Sequence, residues 1–236
     1  MGFVLGISGP ALAGKDTLGD YLVKEHGWSG KLSFARNLKD MCKEVFGLTE
    51  YDVNHQDGKK KLFAQPLVLN DSHLCDILIW MATHHPDISQ VQEEGLAKVS
   101  TLVGTEMDNP RHVLQIVGTE ICRTLIPTYH VDVVKQATRQ PGNWIVTDVR
   151  FPNEGDLILD ELQGIVIRLN RAEARSANIN RRHPSETAML DWGRFSDVIE
   201  NSADGLSFFF QEIDNFLERN DIGTTQRLSD REKTQT

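Results

Sequence analysis

Residues 9–17, GPALAGKDT, have the types and the spacing needed to hold phosphate groups. Two glycines separated by four residues let the main chain turn, so that successive N–H groups converge on an anion. Lys15 follows the second glycine and adds a full positive charge, and a helix starting there adds the partial charge of its dipole. The predicted phosphate-binding residues are Gly9, Ala13, Gly14, Lys15, Asp16 and Thr17.

The flanking pattern supports this interpretation. An apolar run from Phe3 to Ile7 precedes the loop, and an amphipathic segment with Leu18 and Leu22 follows it. A strand before and a helix after are what the phosphate loop of P-loop nucleotide-binding proteins requires. Asp16 stands where a Ser or Thr hydroxyl normally binds Mg²⁺, and a carboxylate is also a suitable ligand. The alternative is a glycine-rich turn that binds nothing.

A second charged group lies at the end of an apolar strand predicted from Trp144 to Val149. Asp148 lies near its end and Arg150 follows it, at the edge where open α/β sheets bind ligands. P-loop proteins hold Mg²⁺ or its waters with a carboxylate at this position, so Asp16 and Asp148 are the predicted metal ligands. Taken alone, this signal is weaker than the phosphate loop, because apolar runs that end in Asp are common. The pairing with the loop at Lys15 strengthens it.

Arginines recur in the polar stretch that follows a strand predicted at residues 164–170; they are Arg171, Arg175, Arg181 and Arg182. Guanidinium groups on a mobile segment can neutralise a transferring phosphoryl group and exclude water. The stretch therefore indicates a lid for phosphoryl transfer. The alternative is a solvated basic loop.

Further cations begin or interrupt predicted helices. Arg36 and Lys39 lie at a helix N-terminus, where a cation is unfavourable unless an anion is near. The alternative is two solvated charges. Arg123, on a long helical pattern after residue 109, pairs with Glu120 in the simplest interpretation. The lysine run 59–61 is predicted as a solvated face.

The remaining elements follow from periodicity and turn residues. The prediction is a strand at 31–35, a helix after it, a mobile connection at 49–72, helices from 71 or 72 to about 84 and from 87 to 107, a strand at 197–200 and a helix at 206–217.

Composition limits the class of protein. The 236 residues carry a net charge of −9, which argues against a nucleic-acid polymer or an anionic membrane as the main partner. The three cysteines, Cys42, Cys75 and Cys122, have no metal-ligand spacing and indicate reduced thiols. Without a signal peptide or a long apolar run, the chain is predicted to be cytoplasmic.

Five blocks together resemble the deoxynucleoside monophosphate kinases of tailed phages, a branch of the P-loop kinases. They span residues 4–217 and are SGPALAGKDT, the PRxxLQxxGTExxR pattern at 110–123, DVRFPNE at 148–154, HPSETAML at 183–190 and IENSADG at 199–205. The first block is shared with many P-loop kinases, whereas the joint order of the others is specific.

The resemblance implies an α/β, three-layer P-loop NTPase fold with a five-stranded parallel sheet in the order 2-3-1-4-5. It implies a kinase core at residues 1–48 and 140–219, a helical insert for the nucleoside monophosphate at 49–139 and a lid at 171–187. The polar residues 220–236 are predicted to be a disordered tail.

The resemblance also implies transfer of the γ-phosphoryl group of ATP to a deoxynucleoside monophosphate (dNMP), with Mg²⁺, in the host cytoplasm if the protein is phage-encoded. The predicted catalytic residues are then Lys15, Arg150, Arg171, Arg175 and Arg182. The predicted acceptor-binding residues are Arg36, Lys39, Arg111, Gln115, Thr119, Glu120, Arg123 and Glu154.

One departure concerns the base of the acceptor. The family often has a tryptophan shortly after the GTE block, where this chain has Tyr129 and His130. Two other functions stay open: a P-loop kinase for another small phosphate or alcohol, and a non-catalytic ATP-binding switch. The oligomeric state also stays open, a homodimer included.

Overall fold

The computed structural model describes residues 2–85, 88–171, 183–201 and 205–222. The strands are β1 (Val4–Ser8), β2 (Gly30–Leu32), β3 (Leu67–Val68), β4 (Glu106–Met107), β5 (Trp144–Val149), β6 (Ile165–Asn170) and β7 (Asp197–Glu200). The α-helices are α1 (Lys15–His26), α2 (Arg36–Phe46), α3 (Glu50–Asn54), α4 (Gln56–Lys60), α5 (Asp71–His84), α6 (Glu93–Ser100), α7 (Pro110–Gln115), α8 (Arg123–Leu125), α9 (Tyr129–Ala137), α10 (Pro152–Asp156), α11 (Pro184–Thr187) and α12 (Leu206–Arg219).

Five of these strands form one parallel sheet in the order β2-β5-β1-β6-β7. Counted within the sheet, this is the order 2-3-1-4-5, so the predicted topology is confirmed. Leu5 of β1 lies opposite Ile145 on one side and Ile165 on the other. All five residues of β1 are buried, as a continuous apolar run in the centre of a parallel sheet should be.

Helices cover both faces of the sheet and make the three layers of a P-loop kinase fold. On one face, Leu18 and Leu22 of α1 pack with Phe209 and Phe216 of α12. On the other face, an apolar cluster forms around Val131, Val134, Leu157, Ile158 and Trp192. Apolar packing on both faces of the sheet therefore fixes the positions of the carboxyl ends of β1 and β5.

Residues 49–139 contribute to a third apolar cluster, which is built on α2. Met41 of that helix packs with Ile77, Met81, Val117 and Tyr129. The helix from α7 to α8 is continuous, with a π-helical stretch at Ile116–Cys122 between them. The long helix predicted after residue 109 is thus present.

Two predictions in this region are wrong. Residues 49–72 are not a mobile connection throughout, because they contain α3, α4 and β3. Thr49 and Asp52 exchange hydrogen bonds in a capping box that starts α3. Residues 87–107 are not one helix: a 3₁₀ turn at Ile88–Gln90, α6 and β4 occupy the part described.

Smaller differences concern boundaries. β2 ends at Leu32, whereas the predicted strand ran to residue 35. Most of the predicted lid, 172–182, and of the predicted tail, 223–236, lies outside the described residues. No helix within the described ranges is long and apolar enough to cross a membrane.

Candidate active site

The loop between β1 and α1 depends on glycine at both ends of its motif. Gly9 has φ 148°, and a Cβ there would lie 2.4 Å from the carbonyl oxygen of Leu169 in β6. Gly14 has φ 97°, and a Cβ there would lie 2.6 Å from Nδ2 of Asn201. Only glycine accepts both the left-handed backbone and the close approach.

Asn201, which follows β7, holds the loop from outside. Its buried side-chain amide donates to the carbonyl oxygen of Ala13 at 3.0 Å, and its backbone N–H donates to Asn170. A buried carbonyl needs such a partner. The block IENSADG therefore contributes to the shape of the phosphate loop, a role that its sequence did not reveal.

Lys15 is the first residue of α1 and folds back over the loop. Its ammonium donates to the carbonyl oxygens of Gly9 at 2.8 Å and Pro10 at 2.7 Å. Burial, together with the positive charge of the neighbouring Arg150, lowers the pKa of Lys15 to about 8. Because an anion would restore the stability of the charged form, this environment suits a phosphate group.

A cavity of about 790 Å³ begins at this loop and runs to the helices of residues 49–139. Its volume is within the usual range for small-molecule sites. The predicted residues that line it are Gly14, Lys15, Asp16, Thr17, Lys39, Arg111, Gln115, Thr119, Arg123, Asp148, Arg150, Glu154 and Arg171.

Several predicted residues lie elsewhere. Gly9 packs against β6 and Ala13 is fully buried, so neither is part of the cavity wall. Arg36 is exposed outside the wall, whereas Lys39 lies in it. Glu120 lies beyond the wall, with Oε1 3.9 Å from Nε2 of His183. Arg175 and Arg182 lie outside the described residues.

Two arginines in the wall share one carboxylate. Nη1 of Arg150 donates to Oε1 of Glu186 at 2.9 Å, and Nη1 of Arg111 approaches the same oxygen at 3.5 Å. Burial would raise the pKa of Glu186, but the two arginines outweigh that effect and hold it below its usual value. A second bond from Arg111, to Gln56 at 2.7 Å, fixes its guanidinium.

Arg123 is held by residues of the block DVRFPNE. It forms a buried ion pair with Glu154, donates to Asn153 at 3.2 Å and lies 3.7 Å above the ring of Phe151. Glu154 also accepts the backbone N–H groups of Arg150 and Phe151. The partner of Arg123 is therefore Glu154, and Glu154 acts mainly by fixing two arginines.

Asp16 and Asp148 line the same cavity. Asp16 lies in the first turn of α1, and Asp148 lies near the end of β5. Thr147 donates to Asp16 at 3.3 Å. Within the described ranges, no group of three or more His, Cys, Asp or Glu side chains could hold a metal ion. One or two carboxylates beside phosphate oxygens are, however, the usual protein contribution to Mg²⁺ binding. The oxygen donors present fit that mode.

An apolar part of the wall could receive a nucleoside base; it consists of Phe34, Leu38, Leu114 and Phe151, next to His130. His130 is buried and its Nε2–H donates to the carbonyl oxygen of Gly118 at 3.0 Å. Burial lowers its pKa to about 4, so the ring is neutral. Tyr129 points away from this wall and stacks on His85 in the interior.

The polar residues of the wall that sequence reasoning missed include Gln56, Lys59 and Glu186. Lys59 belongs to the run that was predicted to be a solvated face, and this prediction is wrong for Lys59 alone, since Lys60 and Lys61 are exposed. Glu186 belongs to the block HPSETAML that was identified in the sequence, but the sequence did not indicate which side chains Glu186 would pair with.

The chain is similar to the deoxynucleoside-5′-monophosphate kinase of Escherichia phage T5. The two are 25% identical over an alignment 249 residues long, which includes 92% of this chain and 97% of the relative. No protein-family model matches the chain. The resemblance identified from the five sequence blocks is thereby confirmed over nearly the whole length of both proteins.

Proposed function

We propose that this chain is a deoxynucleoside monophosphate kinase that transfers the γ-phosphoryl group of ATP to the 5′-phosphate of a dNMP. One observation carries the proposal: a single cavity is lined both by the phosphate loop and by Arg111, Arg123 and Arg150. Two phosphate-bearing substrates could therefore meet in it without water between them.

On the donor side, the backbone N–H groups at the start of α1 and the ammonium of Lys15 would hold the β- and γ-phosphates of ATP. Asp16 and Asp148 are the proposed ligands of Mg²⁺, directly or through water. When bound, Mg²⁺ would neutralise charge on the phosphate oxygens. Asp148 already accepts hydrogen bonds from the hydroxyl of Ser33 and from two backbone N–H groups, so Asp16 is the less constrained carboxylate.

On the acceptor side, the guanidinium groups of Arg111 and Arg150 would bind the 5′-phosphate in competition with Glu186. Arg123, held by Glu154 and stacked on Phe151, would present a fixed positive charge to the same group. The deoxyribose and base would then extend along the apolar wall. Lys39, Gln115 and Thr119 are proposed to supply further polar contacts.

The transfer itself needs position and charge more than covalent chemistry. The phosphate oxygen of the acceptor is already anionic at neutral pH, so no general base is required. Lys15 and Arg150 would neutralise the charge on the phosphoryl group in the transition state. Arg171, Arg175 and Arg182 are proposed to close over it from the lid. This chemistry belongs in the cytoplasm, where both nucleotides are found.

The test is ADP formation by the purified protein with ATP, Mg²⁺ and a panel of acceptors. The panel contains the dNMPs, the matching ribonucleoside monophosphates, and small phosphates and alcohols such as coenzyme precursors. We expect turnover with at least one dNMP. Turnover only with a non-nucleotide acceptor would favour the other kinase function. Tight ATP binding without turnover on any acceptor would favour the non-catalytic switch.

A further inference from the structure

The short helix α4 brings one of three consecutive lysines into the cavity. Lys59 is half-buried in its wall, whereas Lys60 and Lys61 are exposed. This orientation is fixed by close packing between α4 and α3, because a Cβ at Gly58 would lie 2.3 Å from the carbonyl oxygen of Tyr51. The helix cannot rotate to exchange Lys59 for a neighbour.

The same helix is joined to the acceptor arginines. Gln56 accepts a hydrogen bond from Nη2 of Arg111 at 2.7 Å, and it lies one turn before Lys59. Residues three apart on a helix lie on the same face. The ammonium of Lys59 therefore faces the region that Arg111 and Arg150 surround.

The charges around Lys59 are mostly of its own sign. The charged groups with the largest effect on it are the cations Lys39, Arg150 and Arg111, followed by the carboxylate Asp16. Burial, together with these three cations, lowers the pKa of Lys59 to about 8. None of the ion pairs found among the described residues includes Lys59.

A cation held among cations is stable only if an anion joins them. The ammonium of Lys59 interacts electrostatically with Arg111 and Arg150, proposed for the acceptor, and with Asp16, proposed for the donor, and all four side chains line the same cavity. A phosphate ester bound beside Lys59, Arg111 and Arg150 would be attracted by all three of these cations. Its dianionic charge would restore the charged form of Lys59.

We propose that Lys59 binds the 5′-phosphate of the acceptor, so that α4 is the part of residues 49–139 that recognises this phosphate. The inference rests on the proposed function and extends it. It assigns an acceptor-binding residue to a segment that carries no recognisable motif. The phosphate, rather than the base or the sugar, is the group that Lys59 recognises.

The test compares Lys59→Gln with Lys60→Gln, the same substitution at the exposed neighbour. Two calorimetric titrations are needed. The first measures the affinity for the best dNMP of the acceptor panel in the absence of ATP, and the second measures the affinity for ATP in the absence of dNMP. Loss of one charged hydrogen bond predicts a dNMP affinity about tenfold weaker in Lys59→Gln. ATP affinity should be unchanged, as should both affinities in Lys60→Gln. Lys59→Arg should retain most of the dNMP affinity.

Kinetics supply the second measurement. In Lys59→Gln the KM for the dNMP should rise about tenfold while the KM for ATP stays constant. Binding of the deoxynucleoside that lacks the phosphate should be equal in Lys59→Gln and in the unaltered protein. Equal dNMP affinity in Lys59→Gln and Lys60→Gln would overturn the inference, as would an equal loss of ATP and dNMP affinity. The acceptor panel on the unaltered protein decides the proposed function separately.

Discussion

Asp148 accepts a hydrogen bond of 2.6 Å from the hydroxyl of Ser33, which lies 115 residues away in the sequence. Its carboxylate also accepts the backbone N–H groups of Phe34 and Ala35. The end of β5 is thus tied to the turn that precedes α2. Since Phe34 and Lys39 both line the cavity, Asp148 shapes the site in addition to its proposed role at the metal.

Substitution Asp148→Asn should reduce stability as well as activity. The amide group offers one acceptor oxygen and places a donor beside N–H groups that need acceptors. We expect a loss of about 1–3 kcal/mol in the free energy of unfolding, measured by urea denaturation. Asp76→Asn, an exposed position on α5, is the control and should change little. Equal stability of the two variants would contradict the structural role.

Substitution Lys15→Ala should abolish most of the turnover without unfolding the protein. The ammonium is the full positive charge at the loop, and charge on the transferring group is what catalysis must stabilise. We expect kcat to fall by roughly 10²–10³-fold, with an unchanged circular dichroism spectrum. Lys24→Ala, near the other end of α1 with a side chain 83% exposed, should keep normal kcat. Near-normal turnover by Lys15→Ala would refute the donor assignment.

Substitution Asp16→Asn should raise the Mg²⁺ concentration required for ATP binding. Removing a hard anionic ligand weakens the interaction with the ion, and we expect a shift of the order of tenfold in the Mg²⁺ midpoint. Titration of ATP binding with Mg²⁺ measures it. Asp20→Asn, on the same helix with a side chain 69% exposed, is the control. An unchanged midpoint in Asp16→Asn would remove this carboxylate from the metal site.

Substitution Asn201→Ala should make the phosphate loop less rigid, because it removes the side-chain hydrogen bond to the loop. It leaves the carbonyl of Ala13 buried without a donor, which costs about 1–3 kcal/mol of stability. A loop held less firmly should also bind ATP several-fold more weakly, because its N–H groups are no longer preorganised. Thermal unfolding and ATP titration test both effects. Asn215→Ala, exposed on α12, should behave like the unaltered protein.

His130 should make stability depend on pH on the acidic side. Burial, with Arg123 nearby, lowers its pKa to about 4, whereas an unfolded chain has the ordinary value near 6.5. Between these values the unfolded state binds more protons, so stability falls as the pH falls from about 6.5 toward 4.

The variant His130→Gln should not show this loss of stability at acidic pH, because glutamine does not titrate. Its amide can still donate a hydrogen bond to the carbonyl oxygen of Gly118. The stability difference between the unaltered protein and the variant should therefore shrink by about 2 kcal/mol from pH 7.5 to pH 5. Urea denaturation at the two pH values measures it. A difference that does not change with pH would contradict the assignment of a buried neutral ring.

The three central strands of the sheet could be predicted from sequence because they are mostly buried, nearly continuous apolar runs. The predicted bounds of β5 and β7 are those observed, and the phosphate loop followed from the spacing of Gly9, Gly14 and Lys15. These features depend on local composition and local backbone geometry. Local patterns are what sequence reasoning can use.

The acceptor side was less predictable because it depends on contacts between distant segments. The helices α3 and α4 have five residues each, too few for a period that tells which side faces inward. The difference between Lys59 and Lys60 arises only when Gly58 packs against Tyr51. The pairing of Glu186 with Arg111 and Arg150 likewise joins residues from three separate segments.

The most direct test of the shared cavity is a bisubstrate analogue, in which adenosine and the preferred deoxynucleoside are joined 5′ to 5′ by five phosphates. Calorimetry should give one analogue per chain, bound far more tightly than ATP or dNMP alone. Lys15→Ala and Arg111→Ala should each weaken it strongly, because both ends of the cavity contribute. An analogue that binds no more tightly than ATP, and equally well to Arg111→Ala, would contradict a donor and an acceptor meeting in one site.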